Sequence, residues 1–176
     1  KKNLSIVCFN NNQLIGNGMV LPSGPLRENL SILKNIEIVI INGKKNINFE
    51  NKILNINKKL EIFYSFYKPI NLDQFKNKKL LALAAIGNPE NFFQLVEKNN
   101  LKIFKKKIFP DHYQFSKAEM QNILREAEME NYQVIMTEKD YYKINHYKLK
   151  KINYLKVSLE IYNKEKLLKK INSLYV

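Results

Sequence analysis

The chain is 176 residues long and carries a formal charge of +14, and among its basic residues only Arg27 and Arg125 are arginine. Such a length accommodates one ordinary domain or two small pieces; charge carried almost wholly by lysine is poorly suited to base reading, which uses the arginine fork, and better suited to an anionic lipid surface or anionic substrate. Cys8 is the single cysteine, which excludes an intramolecular disulfide and a cysteine-built metal site and fits a reducing compartment, and the longest apolar runs fall far short of the ~20 residues of a membrane-spanning helix.

In chain order, the first expected elements are two apolar, β-rich strands at residues 4–9 and 36–41, which read as members of a parallel sheet buried on both faces. The chain passes from Lys1 straight into the first of them with no initiator methionine, so it reads as an internal piece of a longer protein. Between the strands lies GNGMVLPSGPLRE, residues 16–28, followed by a short helix at 29–34. Glycine permits positive φ and close approach while proline fixes φ, so this loop is irregular and stiff. It is either a plain surface turn or a mount for the adjacent Arg27 and Glu28. From residue 42 to 75 the alternation in KILNINKKLEIFYSFYKPINL suggests two extended strands forming a connector.

A second pattern starts at residue 80: LLALAAIG as a strand, NPENFFQLVEKN as a helix, LKIFKKKIF as a strand, SKAEMQNILREAEME as a helix and YQVIMT as a strand. A short helix from Glu138, a strand at 154–159 and an amphipathic helix at 164–174 complete it. Strands alternating with helices at this spacing argue for βαβ units and a parallel sheet. The fold class is therefore α/β, arranged as residues 1–48, the end of one α/β domain; 49–78, a β connector; and 79–176, a small α/β domain.

Three strand-to-helix junctions carry unusual residues, where α/β sheets place ligands. At Gly87-Asn88-Pro89-Glu90, Asn88 is an N-cap and Pro89 fits the first helical position, so capping alone explains the residues, although such a helix start can hold an anion. At FPDHYQFS, residues 109–116, Ser116 and Glu119 form a capping box that leaves His112 in a loop beside Asp111. There it can serve as a general base oriented by the carboxylate, or pack between Phe109, Tyr113 and Phe115. At Thr137-Glu138-Lys139-Asp140, Thr137 and Asp140 match a capping pattern, while Lys139 in a first helical turn calls for a nearby anion such as Asp140, Glu138 or a ligand. His146, amid lysines and tyrosines, reads as surface.

Taken in order, GNGMVLPSGPLRE, AIGNPENFF, FPDHYQFS and MTEKD resemble the C-terminal portion of the tetraacyldisaccharide 4′-kinases, the lipid A kinases, from about residue 4 to 143. The resemblance implies two α/β domains joined by a β connector, in a P-loop enzyme moving the ATP γ-phosphate to the 4′-hydroxyl of an acylated disaccharide 1-phosphate. It places the P-loop and the Asp-Asp magnesium motif upstream of this chain, in an N-terminal half that would be this chain's partner, so ATP and Mg2+ are expected to be held mainly there. By the same resemblance Arg27 is expected at the reacting phosphate, Glu28 beside the metal or the hydroxyl, and His112 with an upstream acidic residue that handles the acceptor hydroxyl. Asn17, Gly24, Asp111, Asn88 and Lys139 are expected to bind substrate. Tyr113 stands where many members have a second histidine, and Ala85 where they often have glycine. The expected place of work is the cytoplasmic face of the bacterial inner membrane, with an anionic lipid surface as partner and no nucleic acid. The competing readings are a non-catalytic α/β scaffold and a lysine-rich nucleic-acid or membrane-surface module that uses aromatics such as Phe63, Tyr64, Phe66 and Tyr67.

Overall fold

The computed structural model describes residues 3–173, which divide into two compact units. The first holds residues up to Phe66 together with those from Leu159 onward, and the second holds Tyr67–Ser158. Both are α/β, as the sequence implies.

In the first unit, strands β1 (Ile6–Asn10), β2 (Ile38–Asn42) and β3 (Glu61–Pro69) pair in parallel, with Ile38 opposite Ile6 on one side and Glu61 on the other. Helix α1 (Ile47–Ile56) covers them. Asn46 caps it by accepting from the Phe49 amide at 3.0 Å. Phe49 and Ile53, one helical turn apart, are buried in a core with Leu33, Val39 and Ile41, and the Phe49 ring meets Phe9 edge-on at 5.0 Å. This corrects the first of the two strands expected between residues 42 and 75. The apolar residues of KILNI satisfy either a period of two or a 3.6-residue turn, and the Asn46 cap with the Phe49–Ile53 spacing decides for the helix.

The second unit is a parallel sheet in the order β5-β4-β6-β7. Along the chain these are β4 (Lys79–Ala84), α2 (Pro89–Lys98), β5 (Lys102–Ile108), α3 (Lys117–Met129), β6 (Gln133–Thr137), α4 (Glu138–Ile144) and β7 (Ile152–Leu155). The central strand β4 alternates strictly. Leu81, Leu83 and Ala85 face α3 and α4 through Met120, Ile123 and Ile144, while Leu80, Ala82 and Ala84 face α2 through Phe92, Phe93 and Val96. Both faces are therefore dry, which is why LLALAA has no polar residue. Strand β5 lies at the sheet edge, and its outward Lys102, Lys105 and Lys106 are exposed, as edge strands require. Because the connection runs from β4 to β5 on one side and then crosses to β6 on the other, the chain order reverses between β4 and β6. In such sheets ligands bind at the carboxyl ends beside that reversal.

The single strand expected at 154–159 is two strands, β7 and β8 (Val157–Ile161), separated at Lys156. Asn71 explains the break: its side chain donates to the Tyr154 carbonyl at 2.9 Å and accepts from the Lys156 amide at 2.8 Å, replacing ladder partners. Strand β8 belongs to the sheet of the first unit, next to β3. The amphipathic C-terminal helix is α5 (Lys164–Asn172), and its expected end at Leu174 lies outside the described residues. Leu167 and Ile171, on one helical face, pack with Ile38 and Phe63. This helix accordingly sits in the first unit rather than with residues 79 onward. Glu61 binds Lys166 at 3.0 Å and also Lys170, and the two lysines hold its carboxyl below the usual glutamate range. The aromatic run of β3 presents no row of stacking rings: Phe63 is buried, Tyr64 donates its hydroxyl to Glu50 at 2.8 Å and Phe66 packs on Tyr162, while Tyr67 is half exposed. The short helix expected at 29–34 is a 3-10 turn, Leu30–Asn35, capped by Asn29.

Candidate functional site

The Gly/Pro loop of the first unit is held by its own polar atoms. Asn17 donates its side-chain amide to the Ser23 carbonyl at 2.8 Å and accepts from the Met19 amide at 3.1 Å. Backbone bonds from Leu21 N to Leu26 O at 2.8 Å and from Leu26 N to Met19 O at 3.2 Å close it, and the Leu21-Pro22 peptide is cis. Gly24 is required, because a Cβ there would collide with the Asn17 Oδ1 and the Met19 carbonyl. Gly16, at φ +54°, would place a Cβ 2.5 Å from the Pro25 ring. Asn17 and Gly24 thus build the loop. Leu26 is buried in the unit's core and anchors its end, so the next two residues, Arg27 and Glu28, leave a fixed point with exposed side chains.

In the second unit Gly87, Asp111, His112 and Lys139, from the three junctions, come together at the carboxyl ends of β4, β5 and β6. Asp111 accepts the His112 backbone amide at 2.9 Å, and its carboxylate stands 3.8 Å from the His112 Nε2 and 3.7 Å from the Lys139 Nζ. Gly87 lies against the same group: a Cβ there would be 3.1 Å from Asp111 Oδ2. The anion that Lys139 calls for is therefore Asp111, reached from the loop of a different strand. His112 has left-handed backbone, φ 61°, and its side chain is 75% exposed. The alternative of a histidine packed among aromatics does not hold, since Phe109, Tyr113 and Phe115 pack on one another with centroids 4.8–5.1 Å apart and leave His112 outside. Tyr113 donates to Glu119 at 2.5 Å, adding to the capping box with Ser116, and these bonds hold the Glu119 carboxyl below its usual range. Asn88 caps α2 by accepting from Asn91 N at 3.3 Å. His146 is exposed against the Tyr147 ring.

Two further residues meet at the same junction; the sequence pattern points to Asp140 only as a helix cap and a counter-charge for Lys139, and Lys143 is not singled out. Asp140 is fully buried and Lys143 partly so, its side chain 16% exposed, and their charged atoms are 2.8 Å apart. Asp140 also accepts from the Ala85 amide at 2.9 Å and the Thr137 hydroxyl at 2.8 Å. The only prior sign was the Asp-x-x-Lys spacing, which brings the two side chains onto one helical face.

Among the described residues no three His, Cys, Asp or Glu side chains converge as a metal ion needs, and the sequence contains no Gly-rich phosphate loop ending in Lys-Ser/Thr. The residues present do not fit the ATP phosphates and Mg2+ as principal ligands, and none of them is assigned to the metal.

The sequence matches the family model of tetraacyldisaccharide-1-P 4′-kinase over residues 1–175. It is 41% identical over 174 residues to a tetraacyldisaccharide 4′-kinase of Pelagibacter ubique, covering 97% of this chain and 55% of that protein. It is 34% identical over 171 residues to one of Rickettsia typhi, covering 97% and 52%, and 32% identical over 166 residues to one of Haemophilus influenzae, covering 94% and 48%. The crystal structure of LpxK from Aquifex aeolicus in complex with ATP shares the fold at a TM-score of 0.65 and 18% identity, over 100% of this chain and 54% of that one. The chain spans about half the length of the curated relatives it matches. With ordered loop motifs, a parallel sheet bearing the Asp111 cluster at its carboxyl edge, and a family match over nearly every residue, the chain belongs to the tetraacyldisaccharide-1-P 4′-kinase family.

Proposed function

We propose that this chain is the C-terminal part of an ATP-dependent kinase that phosphorylates the 4′-hydroxyl of an acylated disaccharide 1-phosphate. The observation that carries this reading is the Asp111–His112–Lys139 cluster at the carboxyl edge of a parallel sheet, where α/β folds hold their ligands. His112, exposed and with its Nε2 3.8 Å from the Asp111 carboxylate, is suited to help draw the proton from the acceptor hydroxyl as its oxygen attacks the γ-phosphorus and ADP leaves. Lys139 adds a positive charge for the anionic sugar phosphate. Arg27, set by its stiff loop, is suited to meet charge developing on the transferred phosphoryl group, with Glu28 beside it; in phosphoryl transfer positioning and electrostatics do most of the work. The ATP of the Aquifex aeolicus structure supports ATP as the donor. An acylated substrate presents its head group at a bilayer, and the +14 charge favours an anionic surface of that kind, consistent with peripheral attachment at the inner membrane.

The test is His112→Ala in the complete kinase. The expected result is a loss of about 10² to 10⁴ in kcat, the range of a positioned acid or base, with a smaller change in KM. A folded variant with wild-type kcat and pH profile overturns the assignment.

A further inference from the structure

The carboxyl end of β4 is held by a buried ion pair that capping does not call for. A helix start is satisfied by an exposed Ser, Thr or Asp, yet Asp140 is fully buried and spends its second oxygen on Lys143. Replacing such a pair by apolar residues is often neutral or stabilising, so stability alone is a weak account of it. Its geometry is more telling. Ala85 lies just past β4, and both of its backbone groups are taken by the pair: its N–H donates to Asp140 at 2.9 Å and its carbonyl accepts from Lys143 at 3.4 Å. The Thr137 hydroxyl, at the end of β6, donates to the same carboxylate at 2.8 Å. The pair therefore ties β4 to β6 at the point where the strand order reverses.

From that tie two short paths lead to the Asp111 cluster. The neighbouring Ala84 carbonyl accepts from Phe109 N at 3.0 Å, fixing the start of the loop that carries Asp111 and His112 two and three residues later. Two residues beyond Ala85, Gly87 abuts the Asp111 carboxylate. Resting on the kinase reading above, we infer that Asp140 and Lys143 are positioning residues for that reaction, holding Ala84–Ala85 so that Asp111 and His112 stand in working geometry. They touch no substrate and act only through the backbone they hold.

The test is a double-mutant cycle in the complete kinase. Asp140→Asn and Lys143→Met should each lower kcat about 10- to 100-fold, as misplacement of a reacting group by an ångström does. The KM for ATP should stay unchanged, and Lys143→Arg, which keeps the charge and donors, should retain most activity. In a His112→Ala background the same substitutions should lower kcat no further, since the reacting group they place is gone and Asp111 acts on kcat only through it. A further loss in that background overturns the inference, as do folded Asp140→Asn and Lys143→Met proteins with wild-type kcat. If Asp140→Asn does not fold, Lys143→Met and Lys143→Arg complete the cycle. Wild-type kcat in His112→Ala alone removes the kinase-site assignment itself and this inference with it, an outcome distinct from additivity.

Discussion

Lys139 Nζ stands 3.7 Å from Asp111 Oδ1, joining the first turn of α4 to the loop after β5. Both side chains are about half exposed, so the pair contributes at most about 1 kcal/mol. Lys139→Ala should therefore leave urea unfolding of the protein within that margin while raising the KM for the acceptor lipid more than it lowers kcat. An unchanged KM shows that Lys139 serves only Asp111.

Arg27 follows the buried Leu26 in a loop whose interior Gly24 must lack a side chain. Arg27→Lys in the complete kinase keeps the charge and loses the planar fork, and kcat should fall about tenfold or more with an unchanged unfolding midpoint. Gly24→Ala leaves Arg27 in place chemically but forces the loop apart, at a cost of about 1–3 kcal/mol. It should lose comparable activity together with stability. Wild-type kcat in both variants returns the loop to a plain turn.

Glu126 binds Lys105 at 2.5 Å and Lys107 at 2.7 Å, and the two lysines, Lys105 first, lower its carboxyl below the usual glutamate range. A lowered folded-state value means stabilisation that is fully present above the unfolded glutamate value and is lost as pH falls through the folded one. Thermal melts of wild type and Glu126→Gln should differ most near neutral pH and converge under strongly acidic conditions, and added salt should narrow the gap. A gap that widens on acidification contradicts the pairing.

Binding of the complete protein to vesicles should grow with anionic lipid content and fall with salt, at up to about 1 kcal/mol per lysine at the surface. Co-sedimentation that ignores both variables excludes the lysines as a membrane contact.

The second unit was legible because LLALAAIG is apolar on both faces and each helix start carries a local cap, so strand and helix periods change at marked places. The meeting of Asp111 with Lys139 was not legible, since it depends on two loops from different strands. Asp140 was hidden by sufficiency: its match to a capping pattern left nothing visibly unexplained until burial showed the second oxygen turned to Lys143. Helix α1 was misread because KILNI fits two periods. The break at Lys156 was invisible because the residue that makes it, Asn71, is 85 positions away.

The lysines along the edge strand β5 have a consequence for handling the protein. Phe104 and Ile108 on that strand are about half exposed, so once the surrounding ammonium groups are neutralised the strand becomes an open apolar template for another copy. Acetylating agents, polyanions or strongly alkaline buffer should turn a dispersed preparation into one that associates edge to edge. Edge-to-edge association of the folded sheet is thus opposed by the charge of a few β5 lysines.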